Sequence, residues 1–367
     1  MTKPTLVIYF FNSVAFLILL ILKIIYKPKN KGNNILLVNT GQIGDLIISS
    51  IILDKIDLLK KKYNKCYFLL RKEYRGLFEN MESIEFIYWS YRKYKYNLFY
   101  RIKFLLMLRK LNLIVTFNLT AARGVTVDEL SLLSGSKNIY ALNSNFRYLT
   151  KLFGKKLDQM YIKILAENIL NEYDKNIEVL KYFGIDYQFN RTSFKKANIE
   201  NHKNYKYEIA VAPFSSTYNR DWGTEKFKKL ISKLADTYKV LLLGSLDQNK
   251  KLEKFRMDNV SISAGKLNFK ELFGQIENVK LFIGLDSGLS HIALKVGTPF
   301  IAIIGGGNFG RFFPYNESSK ARYLYHKIDC FGCEWRCIHD KPYCLTEVTV
   351  DEVLKNVNEI LEYYENS

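Results

Sequence analysis

The sequence is poor in the residues that make linkers and staples, with 6 Pro, 20 Gly and 5 Cys among 367 positions. So little proline and glycine leaves small room for long flexible connectors and excludes a collagen-like chain. Five cysteines in a chain of this length do not make a secreted disulfide scaffold, which is shorter and denser. No Lys- or Arg-rich tract dominates, and no low-complexity stretch or short-period repeat occurs. What is present is a globular composition, 48% hydrophobic and 25% charged. Such a chain can bury a core, which excludes wholesale disorder and a polytopic membrane protein. Its length suits two domains of about 150–200 residues each.

Charge of one sign is in short supply. Against 55 Lys+Arg stand 36 Asp+Glu, a net charge of +19. The excess calls for an anionic partner: nucleic acid, an anionic lipid surface or a phosphorylated substrate. It is spread along the chain, and no nucleic-acid-binding motif accompanies it.

One long apolar run exists, from Leu6 to Tyr26, interrupted by Asn12, Ser13 and Lys23. Its 21 residues match a hydrocarbon core of about 30 Å. Tyr9 and Tyr26 lie near its ends, and Lys27, Lys29 and Lys31 follow. Basic residues stay on the cytoplasmic side, so the run predicts an anchor on the cytoplasmic side of the inner membrane. The anchor either spans the bilayer or lies in its interface. No small-x-small site follows, as a cleaved signal peptide would require.

Beyond residue 31 strands and helices alternate. Short apolar runs predict strands at Ile35–Asn39, Cys66–Leu70, Phe86–Trp89 and Leu113–Phe117. Helical spacing covers Leu46–Leu59 and Tyr96–Leu111. Asp186–Lys206 is polar and non-periodic, the best linker. The rhythm then restarts: strands Ile209–Ala212, Val240–Leu243, Leu281–Ile283 and Phe300–Ile304, and helices Thr224–Ala235, Lys270–Glu277, Leu289–Val296 and Thr349–Tyr364. This βαβ alternation predicts parallel sheets in two α/β domains, residues 32–195 and 196–367, after an anchoring segment 1–31. Two such domains in series make a cleft, the usual place for a ligand.

Four places carry candidate chemistry. Gly41-Gln42-Ile43-Gly44-Asp45 follows a strand and opens a helix, where backbone and anion can approach. It is not a dinucleotide fingerprint, because position 46 is Leu. Asp45 suits a cleft-facing carboxylate or simply a first-turn acid. Pro213 to Trp222 puts the hydroxyls of Ser215 and Ser216 before Arg220, a set suited to a diphosphate or to a polar surface loop. Asp286-Ser287-Gly288, with His291 one turn later, opens a helix that either caps itself or presents amides to a ligand. Gly305-Gly306-Gly307 follows a strand and precedes Arg311, a sequence fit for a phosphate nest.

In this order the segments resemble glycosyltransferase family 9, the bacterial heptosyltransferase-like enzymes of lipopolysaccharide assembly. Ile35–Ser50 resembles the family's opening strand, Ile-Gly-Asp turn and helix. Ala210–Phe227 resembles its Pro, hydroxyl, basic, Trp segment. Ile283–Ala302 resembles its Asp-Ser-Gly-x-x-His block ending in Gly-Thr-Pro. Gly305–Tyr315 with the later cysteines resembles the ending of a branch found in polysaccharide loci. The resemblance covers most of residues 33–360. It implies a GT-B fold, two Rossmann-like domains facing a cleft, and inverting transfer without a metal. It implies Asp45 as the base that deprotonates the acceptor hydroxyl. Ser215, Ser216 and Arg220 would hold the donor diphosphate, and Asp286, Ser287, Gly288 and His291 would line the donor site with Gly306 and Gly307. The substrates implied are a nucleotide-diphosphate sugar and a lipopolysaccharide core or lipid-linked acceptor, with an anionic membrane surface nearby, no nucleic acid and no required cofactor.

Two departures stand out. Many members carry Gly-Pro-Thr-Asp-Pro where this chain reads Gly305-Gly306-Gly307-Asn308-Phe309, so donor contacts there are not carried over. Arg220 replaces a frequent Lys, keeping the charge and adding a planar fork.

Cys330, Cys333, Cys337 and Cys344 cluster with His339 among them. The spacing approaches a zinc knuckle without matching a standard one. A structural zinc, paired disulfides and simply packed thiols remain open. Against the transferase stand a dehydrogenase, disfavoured by the incomplete glycine fingerprint, a nucleic-acid binder, and an inactive GT-B-like membrane partner or sugar-nucleotide-binding protein.

Overall fold

The computed structural model describes residues 6–25, 32–78, 81–146, 149–187, 206–216, 220–315 and 317–365. Two compact units divide the chain, Met1–Tyr187 and Gln188–Ser367. The expected linker, 186–206, lies almost wholly outside the described residues.

In the first unit the strands are β1 (Asn34–Val38), β2 (Lys65–Arg71), β3 (Glu85–Trp89), β4 (Leu113–Asn118), β5 (Asn138–Leu142) and β6 (Lys163–Leu165). They form one parallel sheet in the order β3-β2-β1-β4-β5-β6. The second unit repeats the plan with β7 (Ile209–Ala212), β8 (Val240–Gly244), β9 (Val260–Ala264), β10 (Leu281–Leu285), β11 (Phe300–Ile303) and β12 (Ala321–Leu324), ordered β12-β11-β10-β7-β8-β9. Again every pairing is parallel. Central parallel strands are covered on both faces and so read as unbroken apolar runs. Ile35, Leu36, Leu37 and Val38 are all fully buried, as are all four residues of β7.

Helices cover the sheets with one apolar face. In Thr224–Ala235, Phe227, Leu230, Ile231 and Leu234 are buried at helical spacing while Lys228, Lys229 and Lys233 are exposed. Trp222, just before it, is buried with its ring edge-on to Phe227, and its Nε1 donates to Val348 O. That bond ties the loop after β7 to the start of the last helix, Val350–Glu365, whose Val353, Val357 and Ile360 join the same core.

Both sheets reverse strand order beside their first strand, between β1 and β4 and between β7 and β10. Open α/β sheets bind ligands outside the carboxyl ends of the strands at that point.

The structure departs from the sequence reading at one helix and at the sheet edges. The single helix over Leu46–Leu59 is two, Ile43–Leu53 and Ile56–Lys60, because the backbone leaves helical geometry at Lys55 although the apolar spacing continues. Edge strands β9 and β12 carry polar residues that hide them from an apolar-run search. The apolar run at the N-terminus forms the helix Leu6–Ile25, which packs against the first unit. Leu19 is buried among Leu130, Leu133 and Leu157, Phe16 meets Phe153, and Lys23 Nζ donates to Met160 O. Among the described residues no helix is long and apolar enough to cross a membrane.

Candidate functional site

In the first unit, the chain leaving β1 turns sharply at Asn39-Thr40-Gly41 and enters the helix Ile43–Leu53. Asn39 pins this turn: its Oδ1 accepts from Gly41 N, and its Nδ2 donates to Asp45 O and Ser49 Oγ. The Asp45 carboxylate curls back so that Oδ2 accepts from Gln42 N at 2.8 Å. A Cβ on Gly41 would sit 2.4 Å from that oxygen, so only glycine tolerates the fold-back. Asp45 is half-buried. Next to it, Tyr74 OH donates to Gln42 Oε1 at 2.7 Å. Burial pushes the Tyr74 hydroxyl pKa up, and the charge of Asp45 adds to that. Thr40 and Thr120 meet across the β1–β4 switch, and Arg71 Nε donates to Thr40 O. Asp45 thus stands at the ligand end of its sheet. Asn39, Arg71, Tyr74 and Thr120 surround that end, and none was singled out in the sequence.

In the second unit, Arg220 arrives from the loop after β7 and meets the end of β10. Its Nη1 donates to Asp286 O at 3.0 Å and lies 3.3 Å from Asp286 Oδ2. Its Nη2 donates to the side-chain oxygen of Asn308 at 2.8 Å, with the carboxamide turned so that this oxygen also accepts from Trp335 Nε1. The guanidinium lies 5.6 Å from the Trp335 ring. Arg220 Nε and Ser287 Oγ are buried and meet no hydrogen-bond partner among the described residues. Both atoms sit at the β7–β10 switch point, where acceptor oxygens of a ligand would satisfy them.

The other expected residues are placed as follows. Ser215 is half-buried and Ser216 exposed, on the same loop as Arg220, whereas 217–219 fall outside the described residues. Ser287 and Gly288 begin the helix Gly288–Val296, whose first amides complement negative charge. His291 is buried and stacked on Phe313, ring centroids 4.3 Å apart. Burial, with the positive Arg220 nearby, lowers its pKa to about 3, so it is a neutral imidazole at ordinary pH. Gly306 and Gly307 have another use than an open phosphate nest. Gly306 N donates to Cys344 Sγ at 3.2 Å, and the rings of Phe331 and Trp335 press on the glycine run. Arg311 stacks on Phe312.

All five cysteines are free in the structure. Cys330, Cys333 and Cys344 lie close enough to Cys337 that, after burial, their charge is what raises its pKa. Among the described residues no group of three or more His, Cys, Asp or Glu is arranged to hold a metal ion. A shallow groove of about 550 Å³ opens beside this loop, lined by His326, Cys330, His339 and Tyr343. It contains none of the residues expected to bind the donor.

Comparison with known proteins places this geometry in context. Residues 130–334 match the model of glycosyltransferase family 9 (heptosyltransferase). The chain is 27% identical over 196 residues to lipopolysaccharide heptosyltransferase 3 of Escherichia coli, covering 48% of this chain and 56% of that one. It therefore spans little more than half the length of that curated relative. In structure it is similar to a glycosyl transferase family 9 protein from Veillonella parvula, with TM-score 0.69, 15% identity, and 92% and 99% of the two chains covered. E. coli heptosyltransferase WaaC with ADP-2-deoxy-2-fluoro heptose gives TM-score 0.63 at 12% identity, with 89% and 99% covered. These two likenesses show the fold.

Proposed function

The chain belongs to glycosyltransferase family 9, and from that premise we propose that it moves a sugar from a nucleotide-diphosphate donor to a lipopolysaccharide core or lipid-linked acceptor, with inversion at the anomeric carbon. The observation that carries the reading is the pair of buried donors, Arg220 Nε and Ser287 Oγ, that have no partner among the described residues and lie at the β7–β10 switch. Heptose is the first donor sugar to test, because the E. coli relative is a lipopolysaccharide heptosyltransferase.

In the reaction the acceptor hydroxyl gives its proton to the Asp45 carboxylate as its oxygen bonds to the anomeric carbon. The bond from that carbon to the diphosphate breaks, and its electron pair leaves on the phosphate oxygen. Arg220, with Ser215 and Ser216 on its loop, stabilises the charge that builds there. Pre-oriented cations and helix amides are worth most where charge develops in the transition state. A general base contributes about 10²–10⁴-fold. His291, close enough to feel the charge of Arg220, stays neutral and adds no competing charge.

The acceptor side of the reading places the protein on the cytoplasmic face of the inner membrane, held in the interface. Two exposed apolar faces support this. The helix Leu6–Ile25 exposes Phe10, Leu17, Ile24 and Ile25, and the helix Leu98–Arg109 exposes Leu98 (69%) and Phe99 (76%) beside exposed Lys103. Tyr96 (74%), Lys93 and Lys95 flank the second face. Apolar and aromatic groups ringed by lysines suit an anionic lipid surface.

The test incubates the full chain with a panel of nucleotide-diphosphate sugars and a lipopolysaccharide core acceptor, following both released nucleoside diphosphate and acceptor mass. One donor giving both products supports the reading. Nucleotide binding without any transfer would favour the alternative, an inactive sugar-nucleotide-binding partner.

A further inference from the structure

We propose that Trp335 is a positioning residue for Arg220, so that the cysteine-bearing loop forms the back wall of the donor site. The inference rests on the donor-binding reading of Arg220.

Trp335 reaches Arg220 in two ways. Its ring faces the guanidinium at 5.6 Å, and its Nε1 donates to the Asn308 oxygen, 3.2 Å away, that also accepts from Arg220 Nη2. One side of the guanidinium is therefore fixed by Asp286 and the other by the Trp335–Asn308 pair. A planar cation clamped on an aromatic face and at both terminal nitrogens has lost its freedom to swing before any ligand arrives.

The backbone is shaped to put the indole there. Glu334 and Trp335 are consecutive non-glycine residues with φ of 51° and 62°, a region such residues rarely occupy. Strained conformations persist where their surroundings over-determine them. Here Glu334 N donates to Gly307 O and Gly332 N to Gly306 O, zipping the cysteine loop onto the glycine run. A Cβ on Gly305 would come within 2.6 Å of the indole and one on Gly307 within 2.4 Å. The glycines thus make room for the ring. The same contact accounts for this chain's Gly-Gly-Gly-Asn: the first and third glycines seat the indole, and Asn308 bridges it to Arg220.

The experiment measures binding of ADP, UDP, GDP and CDP to the full chain by calorimetry, in wild type, Trp335→Leu, Trp335→Phe, Asn308→Ala, Arg220→Gln and Trp335→Leu/Arg220→Gln. We expect one nucleotide to bind wild type and Trp335→Leu to weaken it about 10-fold, the factor that about 1.4 kcal/mol represents. Trp335→Phe keeps a ring face and should lose less than about 3-fold; Asn308→Ala should fall between the two. In the Arg220→Gln background, Trp335→Leu should change affinity less than about 2-fold, because Trp335 acts through Arg220. Donor KM should follow these affinities and kcat should fall as well, because a less well oriented Arg220 also stabilises the departing diphosphate less. A Trp335→Leu effect equally large without Arg220, or none with it, overturns the proposal. If Trp335→Leu does not fold, Trp335→Phe and Asn308→Ala decide it, and wild-type affinity in both overturns it. Wild type binding none of the four nucleotides would instead overturn the donor reading of Arg220.

Discussion

Arg220 Nη1 touches Asp286 twice, donating to its backbone oxygen at 3.0 Å and lying 3.3 Å from its carboxylate. The two residues sit on loops after β7 and β10, so their contact closes the strand-order reversal of the second sheet. It fixes the guanidinium where the sheet would present a ligand.

Arg220→Ala should lower transfer about 10²–10³-fold, the cost of deleting one pre-oriented group that stabilises developing charge. Arg220→Lys keeps a charge but loses the fork to Asp286 and Asn308, and should retain part of the rate. Steady-state kinetics with the active donor check both. Equal rates in all three proteins would remove Arg220 from the reaction.

His291 makes folding stability depend on acid. Its pKa is about 3 in the folded chain against 6.5 unfolded. Between those values the unfolded chain binds a proton that the folded chain does not, so its contribution is full above pH 6.5 and shrinks as pH falls toward 3. The slope from this group approaches about 1.4 kcal/mol per pH unit. Denaturant titrations from pH 7 to 4 should show His291→Gln losing stability less steeply than wild type. Parallel curves would contradict it.

Gly307→Ala should destabilise the second unit by about 1–3 kcal/mol, the range for overpacking, since the added methyl meets the Trp335 ring. Urea unfolding measures the loss. The double variant Gly307→Ala/Trp335→Leu should recover part of it, because the clash partner is gone.

Phe99→Glu should weaken sedimentation with anionic vesicles several-fold and leave the melting temperature within about 1 °C. Phe99 is 76% exposed, and surface substitutions rarely shift stability by more than about 0.5 kcal/mol. Undiminished vesicle binding would remove this face from the membrane reading.

Much of the fold was legible because parallel strands and the helices between them announce themselves locally. Thr224–Ala235 needed only its apolar spacing. β9 escaped because an edge strand of Val, Ser and Ile is half-exposed and need not be apolar throughout. Leu6–Ile25 read as an apolar run, but its seat against Leu130 and Leu157 depends on residues far along the chain. The site follows the same rule. Asp45 and Arg220 stand in motifs of consecutive residues and could be found there. Trp335 and Asn308 could not, because what makes them part of the site is a contact with Arg220 that only the folded chain creates. Glycine runs signal close approach, but not whether a phosphate or an indole does the approaching.

The account stands or falls on proton removal by Asp45. Asp45→Asn keeps the size of the side chain and gives up only a first-turn charge, worth about 0.3–1 kcal/mol of stability. With the active donor and a saturating acceptor, the variant should turn over at least about 10²-fold more slowly than wild type while binding the nucleotide with unchanged affinity. Transfer at the wild-type rate would contradict it.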